Sequence, residues 1–388
     1  MAFFSESFLS RSSWQAWERS IQRLLRLKEW HNVQVVGGSG DRGADVIAEK
    51  STNGKKSRWV FQVKAWSSPV GLEVLEELQT AMNEYQCPKG VIVSKKGFKS
   101  DLKEKVKSQE FKTSVILWDQ TRITNLGNSA PKEPLTELNK DQYKIRPYQE
   151  QAVKGTVKNW QENKSGRALI VMATGLGKTF VGASAIRRIL NLSTSRQRVL
   201  VLAHKRSLLL QLERAFWPFL SADEETMIVK GGEELNPKLF KEASFVFGMR
   251  QKLDSMIEQG TSLPRFDIVL VDECHHAGTN SYNRIFEELG IGESGGPFLI
   301  GLTATDWRPS GAPLEPIFGD AVARVDMLKG LRMGYLTDVD YRMYTDNLDW
   351  EQLTTNHEGI YNPKQISKSI FITEWDNAVA GKIKSTWD

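Results

Sequence analysis

The sequence predicts two α/β units in series, a small mixed one followed by a doubly wound layer on a parallel sheet. Three observations carry that expectation. The chain has 388 residues, more than one ordinary core holds. Hydrophobic periodicity disappears over residues 125 to 144, NLGNSAPKEPLTELNKDQYK, where Asn, Pro, Gly and Lys accumulate. From Ile145 onward, apolar runs alternate with helical stretches: ALIVMA, VLVLAH, SFVFG, FDIVLVDE and FLIGLTA. These runs lack strict alternation, as strands do when helices cover both faces of a parallel sheet. The expected organisation is therefore a first domain at 1–124, a linker at 125–144, a second domain at 145–345, and the start of a following region at 346–388.

Within the first domain the order reads helix, strand, hairpin, helix, strand, helix, strand. The first helix carries Trp14, Glu18, Ile21 and Leu25 on one stripe, with a carboxylate among apolar neighbours. Asn53-Gly54 is a preferred hairpin centre, flanked by GADVIAEK and RWVFQVKAW. A two-residue turn there sets Asp45 opposite Gln62 and Lys64 opposite Gly43, all on one face. Gly37, Gly38, Gly40 and Gly43 permit the tight turn that delivers Asp45, and Asp41 braces it. Trp14, Trp17, Trp59 and Trp66 fall at core-compatible positions rather than as stacking platforms.

Composition excludes more than it selects. Hydrophobic residues make up 40% and charged residues 26%, and no apolar run is long enough to cross a bilayer. The opening MAFFSESFLSRSSW lacks the pattern of a secretory signal. Cys87 and Cys274 lie far apart without CxxC spacing, so neither a disulfide framework nor a zinc site is indicated. A reducing, cytoplasmic setting with no membrane partner is the expectation. A net charge of +5 is only a mild bias toward polyanions.

The strongest chemical signal is MATGLGKTF, residues 172 to 180, between the strand-like ALIV and a helix-like FVGASAIRRIL. Thr174 lies in this loop, and Gly175 and Gly177 let its amides turn toward phosphate oxygens. Lys178 reaches the terminal phosphates and Thr179 can ligate magnesium. Met172 stands where the common form of this loop has its first glycine. VDECHH, residues 271 to 276, ends another apolar run, which puts Asp272 and Glu273 at the same crevice. Asp272 suits a magnesium contact and Glu273 a base for the attacking water. Adjacent His275 and His276 on a strand end would point in opposite directions, which favours hydrogen bonding over metal binding.

With three further segments these motifs resemble superfamily 2 helicases of the DEAD/DEAH-box kind, which have RecA-like lobes. IRPYQEQAV is similar to the adenine-reading segment, implying that Gln149 reads the base. VLVLAHKRSLLLQ resembles the segment that grips a nucleic-acid backbone, and GLTATDWR the coupling motif, with Thr303 and Thr305 matching and Asp306 where proline is frequent. The resemblance covers residues 145–345 and implies ATP and Mg2+ as cofactors. About fifty residues follow Leu336, too few for the second lobe of such motors. Either the chain was cut or a partner completes it, and the expectation is that it binds ATP but hydrolyses it poorly.

In the first domain a carboxylate, an amide oxygen and a lysine suit a magnesium-assisted phosphodiester hydrolase. Asp45 binds the ion, Gln62 or the adjacent backbone adds an oxygen, and Lys64 positions water or steadies the phosphorane. GGSGDRGADVIAE followed by FQVK resembles the Mrr-like branch of the PD-(D/E)xK nucleases, over residues 10 to 122, which implies a restriction-endonuclease-like fold. Gln62 removes the charge that the broader family has at that position, so a second carboxylate is expected elsewhere. The resemblance implies Glu18, on the first helix, and the alternative is a solvated Glu18 bonded to Gln15 or Gln22. Mg2+, or Mn2+ at this site, is the implied ion. The Lys-rich segment from Lys89 to Lys112 either lies along DNA or is a solvated helix face.

The leading expectation is an ATP-dependent DNA-processing enzyme of bacterial defence, with nuclease first and translocase second, an order similar to type I restriction motor subunits. Its partners are double-stranded DNA, ATP, and a recognition subunit or further helicase domain. Two alternatives stand beside it. One is a repair or remodelling helicase whose front domain binds DNA without cutting, the other a non-catalytic nucleic-acid sensor.

Overall fold

The computed structural model describes residues 9, 11–36, 43–52, 54–308, 311–337, 380, 381 and 384. The expected turn residues Gly37, Gly38, Gly40, Asp41 and Asn53 lie outside them, as does nearly all of the region expected at 346–388. The described residues up to Leu336 belong to one compact unit, and the chain divides from it at Thr337.

The first part of this compact unit is a five-stranded sheet in the order β1-β2-β3-β4-β5: β1 (His31–Val35), β2 (Val46–Thr52), β3 (Lys55–Lys64), β4 (Lys89–Ser94) and β5 (Val115–Trp118). β1, β2 and β3 pair antiparallel, and β3, β4 and β5 parallel. Helix α1 (Trp14–Leu27) opens the domain behind Ser13, whose hydroxyl accepts from the Ala16 amide. It packs Trp17, Ile21, Leu24 and Leu25 against Val46, Ala48, Phe61, Val63, Val91 and Val93. Helix α2 (Glu73–Glu84) lays Val74, Leu75, Leu78 and Ala81 on Ala44, Ile47, Val60 and Ile92, joined by Leu102 and Val106 of α3 (Ser100–Lys107). Alternation along β3 thus sends Phe61 and Val63 toward α1, and Val60 and Gln62 toward α2.

Two expectations are corrected here. The linker was expected from residue 125, but helix α4 (Gln120–Asn128), capped by Asp119, runs on to Asn128. Trp14 and Trp66 are not core residues, being 58% and 39% exposed, whereas Trp17 and Trp59 are buried. The buried helical stripe starts at Trp17, three residues after Trp14, and runs through Ile21, Leu24 and Leu25.

The second part begins with α5 (Pro147–Glu162) and contains a seven-stranded sheet in which every pair is parallel, ordered β12-β6-β11-β10-β7-β9-β8. The strands are β6 (Arg167–Met172), β7 (Val199–Ala203), β8 (Thr226–Val229), β9 (Phe245–Met249), β10 (Ile268–Asp272), β11 (Phe298–Thr303) and β12 (Ala321–Val325). Apolar clusters cover both faces, the doubly wound layer that the continuous runs predict. Two edge-region strands, β8 and β12, were not anticipated. Register sets Val171 beside Thr303 and Asp272 beside Leu302, so the ends of β6, β11 and β10 lie together.

The two parts touch through α1. Arg19 pairs with Glu213 at 3.2 Å and with Glu233 at 3.1 Å, and all three side chains are largely buried. Fully buried Arg23 donates to the Glu224 and Ser221 carbonyls at 2.8 and 2.7 Å. Ser13 donates to Glu233, and Leu239 and Met227 join the apolar cluster of α1.

Candidate active sites

The first site grows from the β2–β3 hairpin. Gly54 takes a φ of +76°, and the ladder runs from Thr52↔Lys55 to Val46↔Phe61, the register expected from a two-residue turn. Asp45 continues it: its amide donates to the Phe61 carbonyl at 3.0 Å, and its Oδ2 accepts from the Val63 amide at 2.6 Å. Gly43, Asp45, Gln62, Val63, Lys64, Glu77 and Thr80 line an open hollow of about 490 Å³. The structure thus brings together Asp45, Gln62 and Lys64.

It also brings in a residue that the sequence reading missed. Glu77 Oε2 accepts from Gln62 Nε2 at 2.7 Å and from Lys64 Nζ at 2.8 Å. Glu77 shares a helical stripe with Val74, Leu78 and Ala81, so a carboxylate on an apolar stripe was the available signal. Glu18, half-exposed on α1, is not among the residues lining the hollow, because the buried stripe of α1 packs on the sheet face opposite to Gln62.

Gln62 itself is almost wholly buried, and its Oε1 has no hydrogen-bond partner. A buried amide oxygen without a donor is costly in isolation and suits a site that receives a cation. Two carboxylates and an amide oxygen are hard donors of the kind that magnesium or manganese takes while keeping several waters. Among the described residues no group of three or more His, Cys, Asp or Glu side chains gathers to hold a metal.

The second site lies beyond the ends of β6, β10 and β11. Gly175 and Gly177 have φ of +87° and +82°, and helix α6 (Lys178–Leu192) starts with no side chain capping it. Its first amides therefore remain for an anion at the loop. Thr174 is exposed and Thr179 half-buried. Lys178 Nζ stands 3.9 Å from Glu273 Oε1. Asp272, buried beside the Glu273 carboxylate, is pushed up to about 6.

Glu273 holds a left-handed φ of +48°, a conformation that non-glycine residues adopt only where neighbours enforce it. Gln149 is committed within the protein. Its Nε2 donates to the Leu176 carbonyl of the loop at 3.0 Å and its Oε1 accepts from the Arg146 amide at 2.9 Å. A Cβ on Gly177 would stand 2.7 Å from that Nε2, so glycine is what lets Gln149 brace the loop.

The histidines differ from expectation. Residues Cys274–His276 form a 3-10 turn, not a strand end, so the rings of His275 and His276 lie 4.2 Å apart rather than diverging, and the His204 ring lies 4.3 Å from that of His276, tilted by 51°. Burial and the neighbouring ring hold both His204 and His276 below the usual imidazole range. His275 Nδ1 lies 3.4 Å from Glu273 Oε2 and 3.2 Å from Thr303 Oγ1, and Thr303 donates to the Thr305 carbonyl at 2.7 Å. A polar chain therefore runs from Glu273 to the Thr303-Ala304-Thr305 segment. Asp306 pairs with Arg324 on β12.

Residues 9–126 match a family model described as "Restriction endonuclease", and residues 142–308 one described as "Type III restriction enzyme, res subunit". The chain is 28% identical over 255 residues to the type I restriction enzyme EcoAI endonuclease subunit of Escherichia coli, covering 61% of this chain and 30% of that protein. It is 28% identical over 206 residues to the putative mitochondrial ATP-dependent helicase irc3 of Schizosaccharomyces pombe, covering 52% and 33%. Among solved structures, the ATP-dependent type ISP restriction-modification enzyme LlaBIII bound to DNA aligns with 83% of this chain and 24% of its own, at 18% identity and a TM-score of 0.43. The chain thus spans about a third or less of the length of the relatives it matches.

Proposed function

We propose that this chain, a restriction endonuclease domain joined to a res-subunit helicase domain, is the cutting and driving part of an ATP-dependent restriction enzyme that acts on double-stranded DNA. The observation that carries the reading is the convergence of Asp45, Gln62 and Lys64 in one hollow, within the same compact unit as the phosphate-loop crevice.

At the hairpin hollow, Asp45 and the unpartnered Gln62 Oε1 would hold Mg2+ or Mn2+, which supplies Lewis acidity for water and phosphate. Lys64 orients the attacking water or donates to a phosphoryl oxygen as charge builds there, and the 3′ oxygen leaves. At the crevice, amides of Thr174 to Gly177 and the start of α6 cradle ATP phosphates, with Lys178 neutralising the terminal one. Thr179 and Asp272 would hold the magnesium ion of the nucleotide, and Glu273 accepts the proton of the attacking water. Gln149 acts on the adenine through the edge of its amide not spent on Leu176 and Arg146. Double-stranded DNA passes between these chemistries in a cytoplasmic antiviral setting, with target recognition supplied by a partner subunit or further domains.

The test is cleavage of linear and circular double-stranded DNA with Mg2+ or Mn2+, with and without ATP. Wild type should cut, and Asp45→Ala and Lys64→Ala should lose at least about a hundredfold in rate. DNA binding without metal-dependent cutting by any form would instead favour the repair helicase or the sensor.

A further inference from the structure

Glu77 stands where a missing charge is needed. The hollow's strand position that bears a carboxylate in the broader nuclease family is Gln62, so among the strand residues that line the hollow Asp45 alone carries a negative charge. A divalent ion held by a single carboxylate is weakly bound unless more anionic oxygen reaches it. The structure assigns that second carboxylate to Glu77 of α2, an assignment that rests on the nuclease reading above. We infer that Glu77 leaves Lys64 when the ion arrives and joins Asp45 and Gln62 Oε1 as a metal ligand.

Four observations converge. One Glu77 oxygen, Oε2, bridges Gln62 Nε2 and Lys64 Nζ, the two side chains that flank the ion's place. The Glu77 side chain is 48% exposed toward the open hollow, so it can re-aim without disturbing the core. Gln62 Oε1 is buried without a partner, and its Nε2 is the end fixed by Glu77, so Glu77 also sets which end of the amide remains for a cation. Gly43, at a φ of +91°, keeps this junction open, since a Cβ there would stand 2.9 Å from Gln62 Nε2 and 3.2 Å from Glu77 Cβ.

In the ion-free state Lys64 and Glu77 neutralise each other. Release of Glu77 toward the ion would free the Lys64 ammonium for phosphate, so metal entry and lysine activation become one event. The role separates cleanly from a merely structural one. Gln at position 77 still offers an oxygen to accept from Gln62 and Lys64, but it has no charge for the ion.

The experiment is Mn2+ binding to the whole chain without nucleotide, read by electron paramagnetic resonance of free manganese, with Asp45→Ala defining the hollow's share and circular dichroism confirming the fold. Glu77→Gln should weaken that share at least about tenfold, as loss of a ligand does. The double variant Glu77→Gln with Gln62→Glu should return it to within about threefold, because the charge is restored from the strand. DNA cleavage should follow the same order. Glu77→Gln binding as wild type, a folded double variant that fails to recover, or loss on Glu18→Gln with none on Glu77→Gln would each overturn the assignment. Wild type that binds no manganese at the Asp45 hollow removes the nuclease reading itself, and the assignment with it.

Discussion

Gly43 and Asp272 show how single positions set the chemistry. Gly43 is left-handed and wedged against Gln62 and Glu77, so Gly43→Ala should lower DNA cleavage at least tenfold, roughly, through strain and displaced ligands. Wild-type cleavage rates in that variant would show that the junction tolerates a methyl group. Asp272 has a folded value raised from 3.8 to about 6 by burial and then by Glu273. Its sign follows from linkage: the contribution to stability is fully present below about 3.8 and lost as pH rises through about 6. Without nucleotide or metal, Asp272→Asn should therefore melt higher than wild type at pH 8, by on the order of 2–3 kcal/mol at most, and much like it at pH 4. Thermal melting at the two pH values checks this, and a variant less stable at pH 8 would contradict it. Asp45, Gln62 and Lys64 were legible because a strand repeats every two residues and a two-residue turn fixes register. Glu77 was only half legible: its place on an apolar stripe is in the sequence, but which face of α2 meets β3 is a tertiary fact, and the histidine pair differs because a 3-10 turn replaces the strand end.

At the scale of elements, α1 serves two masters. Its apolar stripe roofs the five-stranded sheet, while Arg19 and Arg23 one turn apart dock on the second part beside edge strand β8, and Arg26 lies over Trp217. Burial lowers Arg23 to about 10, so it stays charged at neutral pH. Removing Arg19 leaves buried Glu213 without its ion-pair partner, whereas Glu233 keeps buried Lys230 at 3.4 Å. Arg19→Ala should cost about 3–5 kcal/mol in urea unfolding, since Glu213 stays buried, and Arg19→Ala with Glu213→Gln should recover part of it. An Arg19→Ala loss under about 1 kcal/mol would place the pair in water. The central strands β6, β7, β9, β10 and β11 were readable as unbroken apolar runs. β8 and β12 were not: β8 is a largely buried run of only four residues, and β12 is mostly part-exposed and interrupted by Arg324.

For the whole molecule, the composition shift at 125–144 reads as a linker, yet the described residues on both sides of it, up to Leu336, belong to one compact unit. Sequence shows a linker but not the surfaces that close over it, since Arg19 and Glu233 pair across more than two hundred residues. The consequence is cooperative: by hydrogen exchange, α1 and β8 should open together, and Arg19→Ala should uncouple them. Independent exchange in wild type would mean that the two sites ride on separately mobile bodies.

The proposed function gives one compact unit two distinct chemistries, one at the hairpin hollow and one at the crevice beyond β6, β10 and β11. It is tested most directly by measuring DNA cleavage and binding of a fluorescent ATP analogue on the same preparations of wild type, Asp45→Ala and Lys178→Ala. A crossed pattern is predicted: Asp45→Ala binds nucleotide as wild type does but does not cut, and Lys178→Ala loses nucleotide binding while its hairpin hollow still binds Mn2+. Undiminished cutting by Asp45→Ala, or undiminished nucleotide binding by Lys178→Ala, would contradict the account.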